Sequence, residues 1–224
     1  MLFFNTQYKY GYMSNNNIIK IEPAPEKYFS ITWMLGSYCN YECMYCPAEL
    51  HDKTSKHKSL DELKTVWEQI YNKTKHLNLP YKISFTGGEC STNKNFLPLL
   101  EWLDKKPTTI KIYLSTNGSA GMKYYTRVAK LVNGISFSTH SEYMDEKSFF
   151  EKALCLNEIM IRPEKSFHVD IMNEYWNEDR INLYIAYLEN HNISYSLNKI
   201  DYNQKVKIYP ESKGKQNIEK LENF

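Results

Sequence analysis

The sequence predicts an α/β protein built on a parallel sheet, and three observations carry that expectation. Short β-branched or aromatic runs alternate with stretches of helical periodicity. Six strand-like runs are separated by five helical stretches, so neighbouring strands need crossover connections and are expected to lie parallel with right-handed crossovers. Ligand-type residues follow the strand runs rather than precede them, as they would at the carboxyl ends of a parallel sheet. A flat doubly wound sheet and a curved partial barrel both satisfy this pattern, and periodicity does not choose between them.

Residues 28–35 (YFSITWML) are the first strand-like run. After the loop that follows, Ser59 reads as an N-cap with Glu62 three residues on, the capping-box pattern, and Leu63, Val66, Ile70 and Tyr71 repeat at helical spacing. Strand 81–86 precedes a helix over 94–105, in which Pro98 is acceptable only in the first turn. Strand 110–115 precedes a helix over 121–132 with Tyr124, Val128 and Leu131 on one face. Strand 134–138 precedes a helix over 145–160 carrying Phe149, Phe150, Ala153 and Leu154. Strand 167–172 precedes a helix over 178–190 with Ile181, Tyr184, Ile185 and Leu188, and strand 193–198 is followed by a lysine-rich tail. The organisation expected is an N-terminal extension over 1–27, a core over 28–200 and a tail over 201–224.

Lys+Arg 28 against Asp+Glu 26 gives a net charge of +2, which provides no field for a general polyanion binder and no strong nucleic-acid signal. No run of 18 apolar residues exists and the opening residues lack the parts of a signal peptide, so the expectation is a cytoplasmic protein without a membrane segment.

Five cysteines then need a reason, and three of them, Cys39, Cys43 and Cys46, fall within eight residues. Close-set thiols in a reducing compartment read as metal or cluster ligands rather than as a disulfide framework. Spaced C-x3-C-x2-C, they can hold three irons of a 4Fe–4S cluster and leave the fourth iron open to a ligand. The alternative is a structural zinc site completed by a histidine such as His51, although zinc knuckles more often use C-x2-C pairs. Gly87-Gly88-Glu89 follows the second strand; paired glycines permit close backbone approach, and the carboxylate can accept from an ammonium group.

With CNYECMYC, an aromatic (Tyr45) before its last cysteine, TGGE at 86–89 and STNG at 115–118, the chain resembles the radical SAM superfamily over residues 28–200. The resemblance implies a partial (β/α)6 barrel and a 4Fe–4S cluster held by Cys39, Cys43 and Cys46. It implies S-adenosylmethionine on the open iron, cleaved reductively to a 5′-deoxyadenosyl radical that abstracts hydrogen from a substrate. By position, Gly87, Gly88 and Glu89 would hold the methionyl ammonium. Ser115 and Asn117 would meet the ribose or the carboxylate, Tyr45 the adenine, and Ser138 and His140 a polar cofactor contact. Val169 or Met172 would form an apolar adenine wall. The implied electron donor is a flavodoxin or ferredoxin.

One departure from the family pattern is Cys90, where proline often follows GGE; a small buried residue is the favoured reading, a substrate-side thiol the other. Cys155 and His168 read as structural. No cysteine-rich extension for further clusters is present in this sequence, which favours a small-molecule substrate over a protein or peptide. Candidate substrate-side groups are His140, as an acid–base or shuttle residue, with Glu142, Asn173, Glu174 and Lys199 on the rim. Tyr8, Tyr10, Tyr12 and Tyr202 could close the mouth. An activating or modifying enzyme for a protein partner and a non-catalytic metal-binding module are the competing readings.

Overall fold

The computed structural model describes residues 2–6, 8–10, 21–23, 27–47, 50–174 and 177–200, the segments before residue 27 as paired backbone only. Tyr12, Tyr202 and the expected tail lie outside the described residues, and nothing is described of the Tyr8 and Tyr10 side chains.

Seven strands form one sheet in the order β1 (Leu2–Thr6), β4 (Phe29–Met34), β5 (Tyr81–Thr86), β6 (Ile110–Thr116), β7 (Gly134–Ser138), β8 (Ser166–Asn173) and β9 (Tyr195–Lys199). A two-stranded ribbon pairs β2 (Tyr8–Tyr10) with β3 (Ile21–Pro23). From β4 to β9 every neighbour is parallel and next in sequence. That order never reverses. Right-handed crossovers then carry every helix to the same face, whereas a doubly wound sheet needs a reversal of direction. The architecture is a partial (β/α)6 barrel, the fold that the resemblance implies. The antiparallel strand β1 on its β4 edge was not anticipated; the expected N-terminal extension starts with it.

The helices are α1 (Leu60–Thr74), α2 (Phe96–Leu103), α3 (Met122–Leu131), α4 (Glu146–Met160) and α5 (Glu178–Asn190). Ser59 and Glu62 close the expected capping box on α1. α2 is shorter than 94–105 because a 3-10 turn, Cys90–Thr92, intervenes after β5, and Pro98 sits in its first turn. On α3 the fully buried residues are Tyr125, Val128 and Ala129, while Tyr124 and Leu131 are partly buried.

The strands' two faces differ in chemistry. Ile31, Trp33, Ile83, Phe85, Ile112, Leu114, Ile135, Phe137, Val169 and Ile171 are buried beneath the helices. The alternate positions, including Ser30, Thr32, Lys82, Ser84, Tyr113, Ser136, Ser138, His168 and Asp170, are not fully buried and face the concave side. Val169 therefore belongs to the helix-side core and Met172 to the concave side, which separates the two apolar candidates. His168 is held by Ser194, 2.9 Å from its Nδ1. On α4 Leu154 and Cys155 are half-buried, and Lys152 instead turns inward, where Nζ donates to the carbonyls of Gly118 and Ala120.

Candidate functional site

The carboxyl ends of the strands converge on a cavity of about 470 Å³. Its lining takes in Cys39, Cys43, Cys46 and Tyr45 from the loop after β4, and Gly87, Gly88 and Glu89 from the loop after β5. Ser115 and Asn117 come from β6, Ser138 and His140 from β7, and Met172 from β8. Apart from Val169, which lies in the helix-side core, the residues singled out for cofactor, metal or catalytic roles are thus brought to one place. Among residues not singled out, Met34, Leu50, Thr86, Thr116 and Ile200 also line it, as does Tyr41 inside the cysteine motif.

The cysteine loop is pinned on one side by backbone. Cys39 N–H donates to the carbonyl of Asp52 at 3.0 Å, and Asp52 N–H donates to Ser37 O at 2.8 Å. Gly88 N–H and Glu89 N–H donate to the carbonyls of Gly36 and Tyr38, each at 2.8 Å. A Cβ on Gly88 would stand 2.1 Å from Tyr38 O, and one on Gly87, whose φ is +124°, 2.6 Å from Gly36 O. Glycine is required here so that chain can approach chain, and the backbone left bare borders the cavity.

Glu89 is buried and both of its oxygens already accept. Oε1 takes Ser91 N–H at 2.8 Å and the Thr116 hydroxyl at 2.7 Å, and Oε2 takes Asn117 N–H at 2.7 Å. Since Thr116 donates its proton to Glu89, the Tyr125 hydroxyl, 3.0 Å away, must donate to Thr116. The carboxylate thereby ties the end of β5 to the end of β6. Asn117 passes the connection on: its Nδ2 donates to Asn40 Oδ1 at 2.9 Å and lies 4.0 Å from Cys39 Sγ. Ser115 is exposed beside it.

On the opposite side the turn after β7 reaches over the loop. Tyr45 OH is 2.6 Å and Cys43 Sγ 3.4 Å from His140 Nδ1, and the Tyr45 and His140 rings stack at 5.9 Å. Glu142 Oε1 accepts from Met44 N–H at 3.3 Å, Tyr143 OH donates to Glu42 O at 3.0 Å, and Tyr143 stacks on Tyr41 at 5.5 Å. Burial lowers the His140 pKa to about 4, so the ring is neutral at pH 7 and Nδ1 can accept the phenol proton when Nε2 carries its own. Of the remaining rim candidates, Glu174 is buried and bonded to the Ser141 hydroxyl, Asn173 is exposed, and Lys199 lines the cavity.

Burial also raises the thiols, Cys46 to about 11 and Cys39 and Cys43 above their ordinary value. Neighbouring thiols raise one another, so this pocket favours protonated sulfur unless a cation enters. Among the described residues no three His, Cys, Asp or Glu side chains converge on a point as ligands of a single ion would. A cluster whose irons each take a separate thiolate makes no such demand. Cys90 is buried with its thiol 3.5 Å from Thr86 O and does not line the cavity, in keeping with the small-buried-residue reading. No helix among the described residues is long and apolar enough to cross a membrane.

Fold and cavity together give a partial barrel with a cysteine-lined cavity at its carboxyl rim, and comparison with known proteins bears on the fold. Over 101 residues the chain is 29% identical to the GTP 3′,8-cyclase of Pasteurella multocida (strain Pm70), a match covering 44% of this chain and 28% of that protein. The structure of Streptococcus suis SuiB superposes with a TM-score of 0.57 at 18% identity, over 80% of this chain and 41% of SuiB. SuiB bound to S-adenosylmethionine gives a TM-score of 0.55 at 17% identity, again over 80% of this chain and over 44% of that chain. No family model matches the chain. The SuiB superpositions show a shared fold, and the chain spans less than half the length of the cyclase and of SuiB.

Proposed function

We propose that this chain is a radical SAM enzyme, with residues 28–200 as its catalytic core and a polar small molecule as substrate. The observation that carries the reading is the convergence of Cys39, Cys43 and Cys46 with the bare backbone of Gly87 and Gly88 on one cavity at the carboxyl rim. The donor set fits a 4Fe–4S cluster: three free thiols on one loop, all lining the cavity, with no fourth cysteine in the lining. A cavity of about 470 Å³ is also of small-ligand size. When bound, the cluster and S-adenosylmethionine would supply reductive cleavage of a sulfonium bond and a carbon radical able to take hydrogen from a substrate.

This chain's residues bind and orient. Cys39, Cys43 and Cys46 hold the metal group. Gly87 and Gly88 offer backbone to the methionyl end, with Glu89 fixing the shape of that loop. Ser115, Asn117 and Ser138 supply polar contacts from successive strands, and Met172 with Ile200 forms an apolar wall beside Tyr45. His140 is a neutral acceptor beside Tyr45 and Cys43, placed to hold a proton at Nδ1. The small-molecule reading is supported by the curated relative named for a nucleotide cyclisation. A peptide substrate is the second reading, supported by the SuiB structure described as bound to its precursor peptide SuiA. The electron donor would be a one-electron carrier such as a flavodoxin or ferredoxin, in the reducing setting of the cytoplasm.

Anaerobic reconstitution with iron and sulfide, followed by S-adenosylmethionine and dithionite, tests the reading. About four irons per chain and release of 5′-deoxyadenosine are expected. One zinc per chain and no cleavage would replace it with a structural metal site.

A further inference from the structure

We propose that Lys152 is a positioning residue for the cavity: buried behind the loop after β6, its ammonium holds the peptide that fixes the Asn117 amide against the cysteine loop. What Asn117 then serves rests on the proposed function; the link from Lys152 to Asn117 rests on the fold alone.

Residues 117–121 carry the chain from β6 into α3. Gly118 takes φ +70°, and a Cβ there would stand 3.0 Å from the Phe149 ring and 3.1 Å from that of Phe137. The turn therefore lies close against α4, where Lys152 follows Phe149 by three residues on the same helix face. Lys152 Nζ donates to Gly118 O and, at 3.1 Å, to Ala120 O. The residue is only 9% exposed, and among the described residues no carboxylate pairs with it. Burial works against its charge, and the carboxylate of Asp145, the N-cap of α4, supports it. An apolar side chain would fill this space without the cost of burying an ammonium, so the charge is present for the two carbonyls that it holds.

One planar peptide transmits that hold. The unit joining Gly118 to Ser119 gives its carbonyl to Lys152 and its N–H to Asn117 Oδ1, the latter at 3.0 Å. With Oδ1 so occupied, Asn117 Nδ2 is the end that faces the cysteine loop, where it donates to Asn40 Oδ1 at 2.9 Å and lies 4.0 Å from Cys39 Sγ. Releasing the carbonyl lets the peptide turn and frees Oδ1. The amide can then flip and set an acceptor against the Asn40 acceptor, which breaks the tie to the cysteine loop. Ser115 and Asn117 line the cavity, whereas Gly118 and Lys152 do not. Lys152 therefore acts on the cavity through Asn117, from a helix 34 positions further along the chain than the carbonyl it holds.

The test is amide hydrogen exchange, read by mass spectrometry on the whole chain as isolated, comparing wild type with Lys152→Met, which keeps the length and removes the charge. Exchange over residues 117–121 is expected to quicken about fivefold or more, while the amides of β4 and β5 keep their rates. In the reconstituted protein the KM for S-adenosylmethionine in dithionite-driven cleavage should rise about fivefold, with kcat altered less. Asn117→Ala should do the same, and the double variant should lose no more than either single one, because both remove one link. Unchanged exchange over 117–121, a quickening spread evenly over the sheet, or additive losses in the double variant would each overturn the proposal. If Lys152→Met does not fold, Lys152→Gln, which keeps an amide donor, is read in the same exchange experiment; a smaller quickening over 117–121 is expected, and none would overturn the proposal. A wild type that cannot cleave S-adenosylmethionine with dithionite would instead remove the proposed function, and exchange over 117–121 would still decide the link from Lys152 to Asn117.

Discussion

On the β5 side of the cavity mouth the cysteine loop is held backbone to backbone, whereas on the β7 side it is held by side chains. The first contact relies on Gly36, Gly87 and Gly88 and leaves no room for a Cβ at two of those positions. The second relies on His140, Glu142 and Tyr143, whose contacts can be removed one at a time. A backbone lock fails as a whole when crowded, because main chain cannot rotate away from an intruding methyl. A side-chain lock loses its members by degrees. The mouth therefore has a rigid half, which carries the metal and methionyl contacts under the proposed function, and an adjustable half.

The largest break in that comparison is expected from Gly88→Ala. Its new Cβ would have to displace Tyr38 O, and we expect a loss of at least about 2 kcal/mol, visible as a drop in Tm and as failure to load iron. Cys43→Ala should separate site from scaffold: iron loading is lost while Tm stays within about 4 °C of wild type, because the loop lies outside the helix-side core. An insoluble Cys43→Ala protein would show instead that loop and barrel fold as one.

Glu89→Gln comes next. An amide cannot accept from Thr116, Ser91 and Asn117 at once without turning a donor on a donor, so a loss of about 1–3 kcal/mol is expected in denaturant unfolding. Tyr45→Phe on the adjustable side removes one donor from His140 and should cost about 1 kcal/mol, with iron loading retained.

The smallest effect is a pH slope. Burial raises the Glu174 pKa, so the folded state holds that proton more tightly than the unfolded chain does. This contribution is fully present below the ordinary carboxylate range and is lost as pH rises through the folded pKa. Glu174→Gln should therefore gain on wild type in Tm as pH increases, and an unchanged difference across the pH series would remove Glu174 from the account.

Much of this protein was legible before any coordinates. Alternating periodicities located six parallel strands and five helices, since period 2 and period 3.6 place apolar residues on faces that must be covered. Spacing also picked out Cys39, Cys43 and Cys46, and the capping box at Ser59 is a local device that needs no tertiary contact. Those features lie in residues a few positions apart.

What lay further apart was decided by the fold. Flat sheet or barrel depended on strand order, which only long-range pairing sets. Val169 and Met172 were equal candidates until the pleat put one under the helices and the other on the concave side. The tasks of Glu89 and Asn117 within the chain, and the reach of Tyr143 to Glu42, join residues 28, 77 and 101 positions apart. Sequence by itself determines which local elements form, because backbone propensity and apolar spacing act within a turn or two. Which polar side chain satisfies which distant donor is settled only when the burial of the whole sheet brings the loops to one rim.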